Sequence, residues 1–471
     1  MCTVNIILVV FDSLRKDSVG TYGSPPWGEI HTPHFDRFAE DSLVIDRAFP
    51  ESLPTLPARR AIYTGRRVYP FFNADFHLKG DFVGAPGWGP IPEDQATLAE
   101  MLSEAGYRTG LISDVYHMFK PSKNFWRGFD QWKFLRGQEK DPYRSGPRLT
   151  QEELDYWLPR DMQRPRTIDF IQQCIMNIHD RNSEEDYFAA RVLKESALWL
   201  EQNQDADHFF LTVESFDPHE PWLVPSHYRR MYNSKEGQEQ VKSGYSDTSD
   251  LGKKLLWRTQ SNYSGLVSFC DRWFGYFMEA VRVLGLLEDT LIIFTSDHGH
   301  SIGDRNYMGK RGYPSSREVY DIPLMVRHPE GVGAGKRSDM MVQHTDITAE
   351  ILRFAGVEPA EPIDGRLFFE DAVEGKEGPR DHVTVGWGSA VTVVDDKWWF
   401  NCKVNGKGTF LHDLDSGDPF GENVAGENPE VIKRLFRAAT EDAGGSYPDF
   451  LIELADSAAD APGCSDLAAR E

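Results

Sequence analysis

The 471-residue chain is 40% hydrophobic and 12% aromatic and carries a formal charge of −23, enough apolar material for a large core, divided into two or three units unless one large α/β sheet organises it. So acidic a balance excludes an extended nucleic-acid surface and general attraction to anionic membranes; an anionic substrate must be captured by a local positive site. Five scattered cysteines (Cys2, Cys174, Cys270, Cys402 and Cys464) with no CxxC pair point to neither a disulfide framework nor a zinc knuckle, and a reducing compartment is expected.

The opening stretch, MCTVNIILVVFDSLRKD, has no basic leader and reaches Asp12 within its apolar run, so it reads as a core strand over Val4–Phe11 and not as a signal peptide. No apolar run of 18 residues follows, which leads to the expectation of a soluble, cytoplasmic protein with no membrane partner. In ESLPTLPARRAIYTGRR, Thr55, Pro57 and Arg59 are spaced T-x-P-x-R ahead of a helix-like run. Proline costs nothing in a first helical turn. A hydroxyl just before that turn faces free N–H groups and a dipole that favour an anion, and Arg59 adds a planar, permanently charged fork. The plainer alternative is an ordinary helix start with a surface arginine.

Further buried strands are expected at Arg108–Ser113, Phe209–Val213 and Leu291–Thr295, separated by amphipathic helices such as ATLAEMLSEAGY and DITAEILRFAGV. This alternation is an α/β pattern with a mostly parallel sheet. Ligand sites in such sheets collect at the carboxyl ends of strands, and three runs end in polar candidates: FDS, ESFDPH and TSDHGH. Lys235–Lys254 reads as a polar surface loop, and GVGAGKR at Gly331 lacks the spacing of a phosphate loop and reads as a surface turn. After about Gly375 the pattern turns antiparallel, with strands around HVTVGW and AVTVVDDKWWFNCKVNGKGTFLHDL, a hairpin at Asn405-Gly406 and a helix near PEVIKRLFRAA. Domains are therefore expected at 1–375 and 376–471, the second a smaller antiparallel α+β subdomain that packs on the main sheet and helps shape the pocket, with an acidic, irregular tail from Gly444.

Asp12 and Asp297-His298 each follow an apolar run, so a parallel sheet can bring two carboxylates and an imidazole together, most of a divalent metal shell. For each residue alone, the alternative is a strand or helix cap.

With these residues in hand, the chain resembles the sulfatases of the alkaline phosphatase superfamily. NIILVVFDSLRKDSVGTYG is similar to their N-terminal metal strand, TPHFDRFAEDSLVIDRAF to the helix and strand after it, and TLPARRAIYTGR to their C/S-x-P-x-R segment. FDPHEPW, FTSDHGHSIGD, Gly309-Lys310, IPLMVRHP and QHTDITAEILRFAGV continue the match in order, from about Asn5 to Phe368. The resemblance implies an alkaline-phosphatase-like fold and one divalent metal held by Asp12, Asp297 and His298, with Thr55 at the nucleophile position and the metal's edge. It implies that Arg59, Lys310, His219 and His117 hold substrate oxygens or handle leaving-group protons. His117 lies in GYRTGLISDVYHMF, which departs from the family's GKWH segment, with Asp114 where lysine is common. Ser13 replaces the second aspartate of the usual pair and His298 the frequent asparagine, which favours Mn²⁺ or Zn²⁺ over Ca²⁺.

Thr55 stands where family sulfatases oxidise Cys or Ser to formylglycine, an aldehyde that threonine cannot give. Threonine-bearing relatives in the superfamily use the hydroxyl directly. Three readings are open at this point: a metal-dependent hydrolase of phosphoesters or phosphonate esters acting through Thr55, a sulfuric ester hydrolase working without formylglycine, and a catalytically silent anion-binding protein. The substrate expected is a small-molecule or glycan-linked phosphate or sulfate ester, with a homo-oligomer left open.

Overall fold

A computed structural model describes residues 4–71, 85–120, 123–233, 245–249 and 251–457. Its strands are β1 (Asn5–Phe11), β2 (Leu43–Phe49), β3 (Arg108–Ser113), β4 (Gln131–Phe134), β5 (Phe209–Ser215), β6 (Ser246–Asp247), β7 (Thr290–Ser296), β8 (Ser301–Ile302), β9 (Tyr307–Gly309), β10 (Ile322–Arg327), β11 (Arg337–Gln343), β12 (His382–Trp387), β13 (Ala390–Asp395), β14 (Trp398–Lys403) and β15 (Phe410–Asp413). Eight of them form one sheet in the order β11-β2-β10-β7-β1-β5-β3-β4. Its neighbouring pairs are parallel except at β10, which runs antiparallel to both β2 and β7.

The expected α/β architecture is what forms, and the composition of β1 explains its central place. Ile6, Leu8 and Val10 enter one core, Ile7, Val9 and Phe11 the other, and all six are essentially inaccessible. Only a strand apolar on both faces tolerates helices on both sides. On the first face lie the helices Thr55–Thr64, Leu98–Glu104 and His344–Ala355; on the second, Pro33–Glu40, Phe188–Asn203 and the 31-residue Lys253–Val283. Register levels the strand ends: Phe11 pairs with both Ser215 and Ser296. The residues just beyond them, Asp12 and Asp297, therefore emerge side by side.

Three expectations need correction. Thr55 is the first residue of its helix and does not precede it. Lys253 and Lys254 open the long helix instead of ending a loop, the helix's packing on the second core beginning at Leu256; residues 235–244 and 250 of that stretch lie outside the described residues. Asp449–Ser457 is helical, not irregular, since Leu451 and Ala455 share a helix face that is buried against the C-terminal sheet; Cys2, Cys464 and the end of the tail lie outside the described residues.

The antiparallel sheet β12-β13-β14-β15 is joined to the main body by a bridge between Ser52 and Gly386 and by Leu53 N–H donating to Gly386 O at 2.9 Å. Trp399 and Phe400 are core residues. The sheet also grips the loop that follows Lys310. Ser315 N–H donates to Asn401 Oδ1 at 3.0 Å, Ser315 Oγ accepts from Thr392 Oγ1 and Trp399 Nε1, each at 2.9 Å, and Asn401 Nδ2 donates to Thr392 Oγ1 and Val391 O. Gly312 lies so close to Trp387 that a Cβ there would come within 2.8 Å of the indole. Asn401→Ala leaves the buried Ser315 amide without its acceptor, an expected loss of about 1–3 kcal/mol in global stability readable by urea unfolding.

Candidate active site and metal centre

Asp12, Asp297 and His298 meet at the carboxyl ends of β1 and β7, fully buried, with one potential ligand atom from each within 4.8 Å of the others. Local backbone holds each one. Asp297 Oδ1 accepts the N–H of Ser13 at 3.0 Å and of His298 at 2.8 Å, and Asp12 Oδ1 accepts the Ser13 hydroxyl at 2.8 Å. The Ser13 backbone sits at φ 61°, the left-handed region that non-glycine residues rarely adopt, turning its amide toward Asp297. His298 Nδ1 lies 3.0 Å from Gly299 O, so that nitrogen carries the hydrogen, and Nε2 is a buried lone pair without a hydrogen bond, 3.4 Å from Asp297 Oδ2. This tautomer is the one metal-ligating histidines adopt. Burial, followed by Lys310, keeps the imidazole neutral by pushing its pKa well below normal.

Arg59 crosses this group. Its Nη1 donates to Asp297 Oδ2 at 2.5 Å, Asp12 Oδ2 at 3.0 Å and Thr55 O at 3.2 Å, and its Nε donates to Glu214 Oε2 at 2.9 Å. Burial alone would weaken the guanidinium's hold on its proton, but Glu214, Asp297 and Asp12 outweigh it and raise the pKa. Arg59 is thus chiefly a partner of the carboxylates; only Nη2, which is buried without a hydrogen bond, is left to meet a substrate oxygen. Three carboxylates against Arg59 and the neighbouring Lys310 ammonium leave a net negative formal charge in a site shut from solvent. Burial pushes Glu214 up to about 7. Uncompensated buried charge is costly, and a divalent cation offsets it: the donor set, the orphaned Nε2 and the charge all fit such an ion.

The other candidates surround this centre. Thr55 is 3% exposed, and its carbonyl touches the same guanidinium nitrogen that binds Asp12 and Asp297. Lys310 Nζ lies 3.3 Å from Ser13 Oγ. His219 follows β5; its Nδ1 is 2.7 Å from Glu220 O and 3.4 Å from Glu139 Oε1, and burial depresses its pKa to about 4. His117 is buried among Trp88, Tyr116 and Phe216, with Nε2 3.6 Å from Glu139 Oε2 and Nδ1 unpartnered. Asp114 turns away from this group: it accepts from Phe216 N and Gln138 Nε2, and burial beside Asp217 pushes it up to about 8.

Sequence reasoning missed Glu214 as an individual residue, although ESFDPH marked its strand end. It missed Glu139, Glu220 and His300 too. The second histidine of DHGH was a signal for His300; nothing local marked Glu139, which lies in the loop following β4.

Ser13→Ala removes the hydroxyl that orients Asp12 and is expected to weaken divalent-metal affinity about 10–100-fold, measured by competition with a chelating dye.

The chain matches the Sulfatase family model over residues 4–357. It is 26% identical over 409 residues to an N-acetylglucosamine-6-O-sulfatase of Bacteroides thetaiotaomicron, covering 77% of this chain and 69% of the relative. It is 25% identical to an arylsulfatase of Clostridium perfringens, with 80% of each covered, and 23% identical to the multifunctional alkaline phosphatase superfamily protein PehA of Trinickia caryophylli, covering 80% and 78%. In structure it is similar to the phosphonate monoester hydrolase of Agrobacterium radiobacter, with a TM-score of 0.72, 20% identity and 94% and 95% of the two chains covered. With strand-end carboxylates, a buried imidazole and a family match over most of its length, the chain belongs to the sulfatase family of metal-dependent ester hydrolases in the alkaline phosphatase superfamily.

Proposed function

We propose that this hydrolase cleaves phosphoric or phosphonic esters with Thr55 as the nucleophile. The observation that carries the reading is Thr55 itself, a hydroxyl at the first position of a buried helix, tied through its carbonyl to the Arg59–Asp12–Asp297 group. A threonine–sulfate intermediate has no adjacent hydroxyl to expel sulfate, whereas a phosphothreonine yields to in-line attack of water at phosphorus. The names of relatives support either ester class, PehA being called a multifunctional alkaline phosphatase superfamily protein and the others sulfatases.

Held by Asp12, Asp297 and His298, a divalent cation supplies Lewis acidity that lowers the pKa of a nearby hydroxyl and offsets charge on the transferred group. Lys310 and the free Nη2 of Arg59 hold non-bridging oxygens. The Thr55 hydroxyl gives its proton to solvent; as the Oγ–phosphorus bond forms, the bond to the leaving oxygen breaks and that oxygen takes a proton from protonated His219. In the second step the now neutral His219 takes a proton from the water that adds at phosphorus, the phosphorus–Oγ bond breaks, Thr55 Oγ regains a proton from solvent, and phosphate or phosphonate departs. Although His219 is neutral in the free protein, an anionic ester beside it raises its pKa toward working pH.

Side-by-side measurement of kcat/KM on phosphate, phosphonate and sulfate esters of one leaving group tests the reading. Phosphorus esters are expected to turn over faster, and Thr55→Ala to abolish turnover while still binding metal and inorganic phosphate. Faster sulfate turnover, or full activity without the Thr55 hydroxyl, overturns it. His219→Ala is expected to lower kcat by about 10²–10⁴-fold on alkyl leaving groups and far less on nitrophenol, which departs without a proton; an equal loss on both removes His219 from the acid role.

A further inference from the structure

The residue that follows His219 acts on its ring in two ways. Glu220 O lies 2.7 Å from His219 Nδ1, so the Nδ1 hydrogen points to that carbonyl and Nε2 is the nitrogen left to meet an ester. The Glu220 carboxylate comes back to the same edge of the ring, with Oε2 3.4 Å from Nδ1. Phe216 stacks on the imidazole with centroids 4.1 Å apart and planes at 21°, which fixes the ring plane.

Glu220 is held in turn from its far side. His300, beyond β7, pairs through Nε2 with Glu220 Oε2 at 3.0 Å, and its Nδ1 lies 2.8 Å from Ser301 O. Arg15 donates from Nη1 to His300 O at 3.2 Å while pairing with Asp304. The turn that carries His219 and Glu220 is closed by Trp222 Nε1, which donates to Pro218 O at 2.9 Å. Trp222 itself sits at φ 45°, a left-handed backbone that a bulky residue adopts only where the surroundings enforce it.

The charges facing the ring decide what this scaffold does. Around His219 stand Glu220 and, from other segments, Glu139 with Oε1 3.4 Å from Nδ1, Lys310, Asp12 and His117. Burial pushes Glu139 up to about 8, so near neutral pH it is mostly protonated. Burial acts the same way on Glu220, but His219, His300 and Lys310 outweigh it and hold that carboxyl well below the usual carboxylate range. Of the two carboxylates beside Nδ1, Glu220 is therefore the charged one. Burial lowers the His219 pKa, and Glu220 is the foremost group opposing that fall.

We infer that Glu220 is the positioning residue of the acid, its carbonyl fixing the tautomer that aims Nε2 at the leaving oxygen and its carboxylate, anchored by His300, stabilising the imidazolium. The inference rests on the acid role given to His219 above. A general acid oriented and charged by a fixed third group keeps its proton until the leaving oxygen takes it.

Glu220→Gln keeps the backbone carbonyl and the shape of the side chain and removes only the charge. An opposite charge this close raises an imidazolium pKa, and the acid form is lost as pH rises through that pKa. In the variant, the alkaline limb of kcat on a methyl phosphonate monoester is therefore expected to move down by about 1–2 pH units, with kcat above that limb about 10–100-fold lower. The nitrophenyl ester needs no proton and should hardly change, and KM should not rise, since losing a negative charge does not weaken the hold on an anion. An equal loss on both esters, or an alkaline limb that stays in place, overturns the inference. His219→Ala, run alongside, separates two failures. A loss confined to the methyl ester there but absent from Glu220→Gln refutes the role of Glu220 alone; no such loss in either variant refutes the acid role of His219 and this inference with it. Should Glu220→Gln fail to fold by circular dichroism, nitrogen NMR of histidine-labelled, Zn²⁺-loaded wild type decides. The His219 signal, assigned by its absence from His219→Ala, supports the inference with its hydrogen on Nδ1 and overturns it with hydrogen on Nε2 alone.

Discussion

Everything at the active end of this molecule depends on one buried charge balance. Arg59, a single guanidinium fully shut from solvent, bridges Asp12, Asp297 and Glu214 from three adjacent parallel strands. Breaking a buried pair by removing one partner typically costs about 3–5 kcal/mol, because the survivor is left uncompensated. The helix that carries Arg59 is thereby pinned to the strand ends, and Thr55, one turn earlier on that helix, is pinned with it. The remaining negative charge suits the site to a divalent cation, so the same interaction that locks the Thr55 helix also fixes the carboxylates that could hold such an ion.

Around that balance the fold works by fixing loops, not by filling a pocket with special side chains. The carboxylates gain their orientation from backbone amides: Asp297 from Ser13 and His298, Glu350 from Phe368 and Phe369, Asp346 from Gln343 and Arg366. Lys310 has a different support. Its following loop is clamped by Asn401, Thr392 and Trp399 of the C-terminal sheet, so a segment far downstream takes part in presenting a residue beside Ser13 and the Asp12–Asp297–His298 group. The expectation that this segment packs on the main body is met, and its aromatic residues serve as core and as clamp.

Identity of the reacting group is a finer matter than membership of the family. The fold accommodates relatives called sulfatases and neighbours solved as phosphonate monoester hydrolases. At the helix start this chain carries Thr55, which keeps a hydroxyl and cannot become an aldehyde. A second buried group, Glu139, His219, Glu220 and His300, is gathered from the segments after β4, β5 and β7, strands that β1 and β3 separate in the sheet.

Much of this was legible in the chain. Period and composition located β1, β3, β5 and β7 to within two residues at either end, because strands buried on both faces must be apolar throughout. The ordered motifs pointed to Asp12, Asp297, His298 and His219 beyond parallel strand ends, and to Thr55 and Arg59 on a helix and Lys310 after β9. The sequence did not disclose that Arg59 spends its fork on carboxylates, that Lys253 opens a helix, or that Glu139, Glu220 and His300 lie together. Those depend on which loops fold over which strand ends, and such contacts join residues up to hundreds of positions apart with no local pattern to betray them. Linear sequence determines which segments must be buried; only the packed structure decides which buried charges face one another, since that is set by register, loop path and desolvation together.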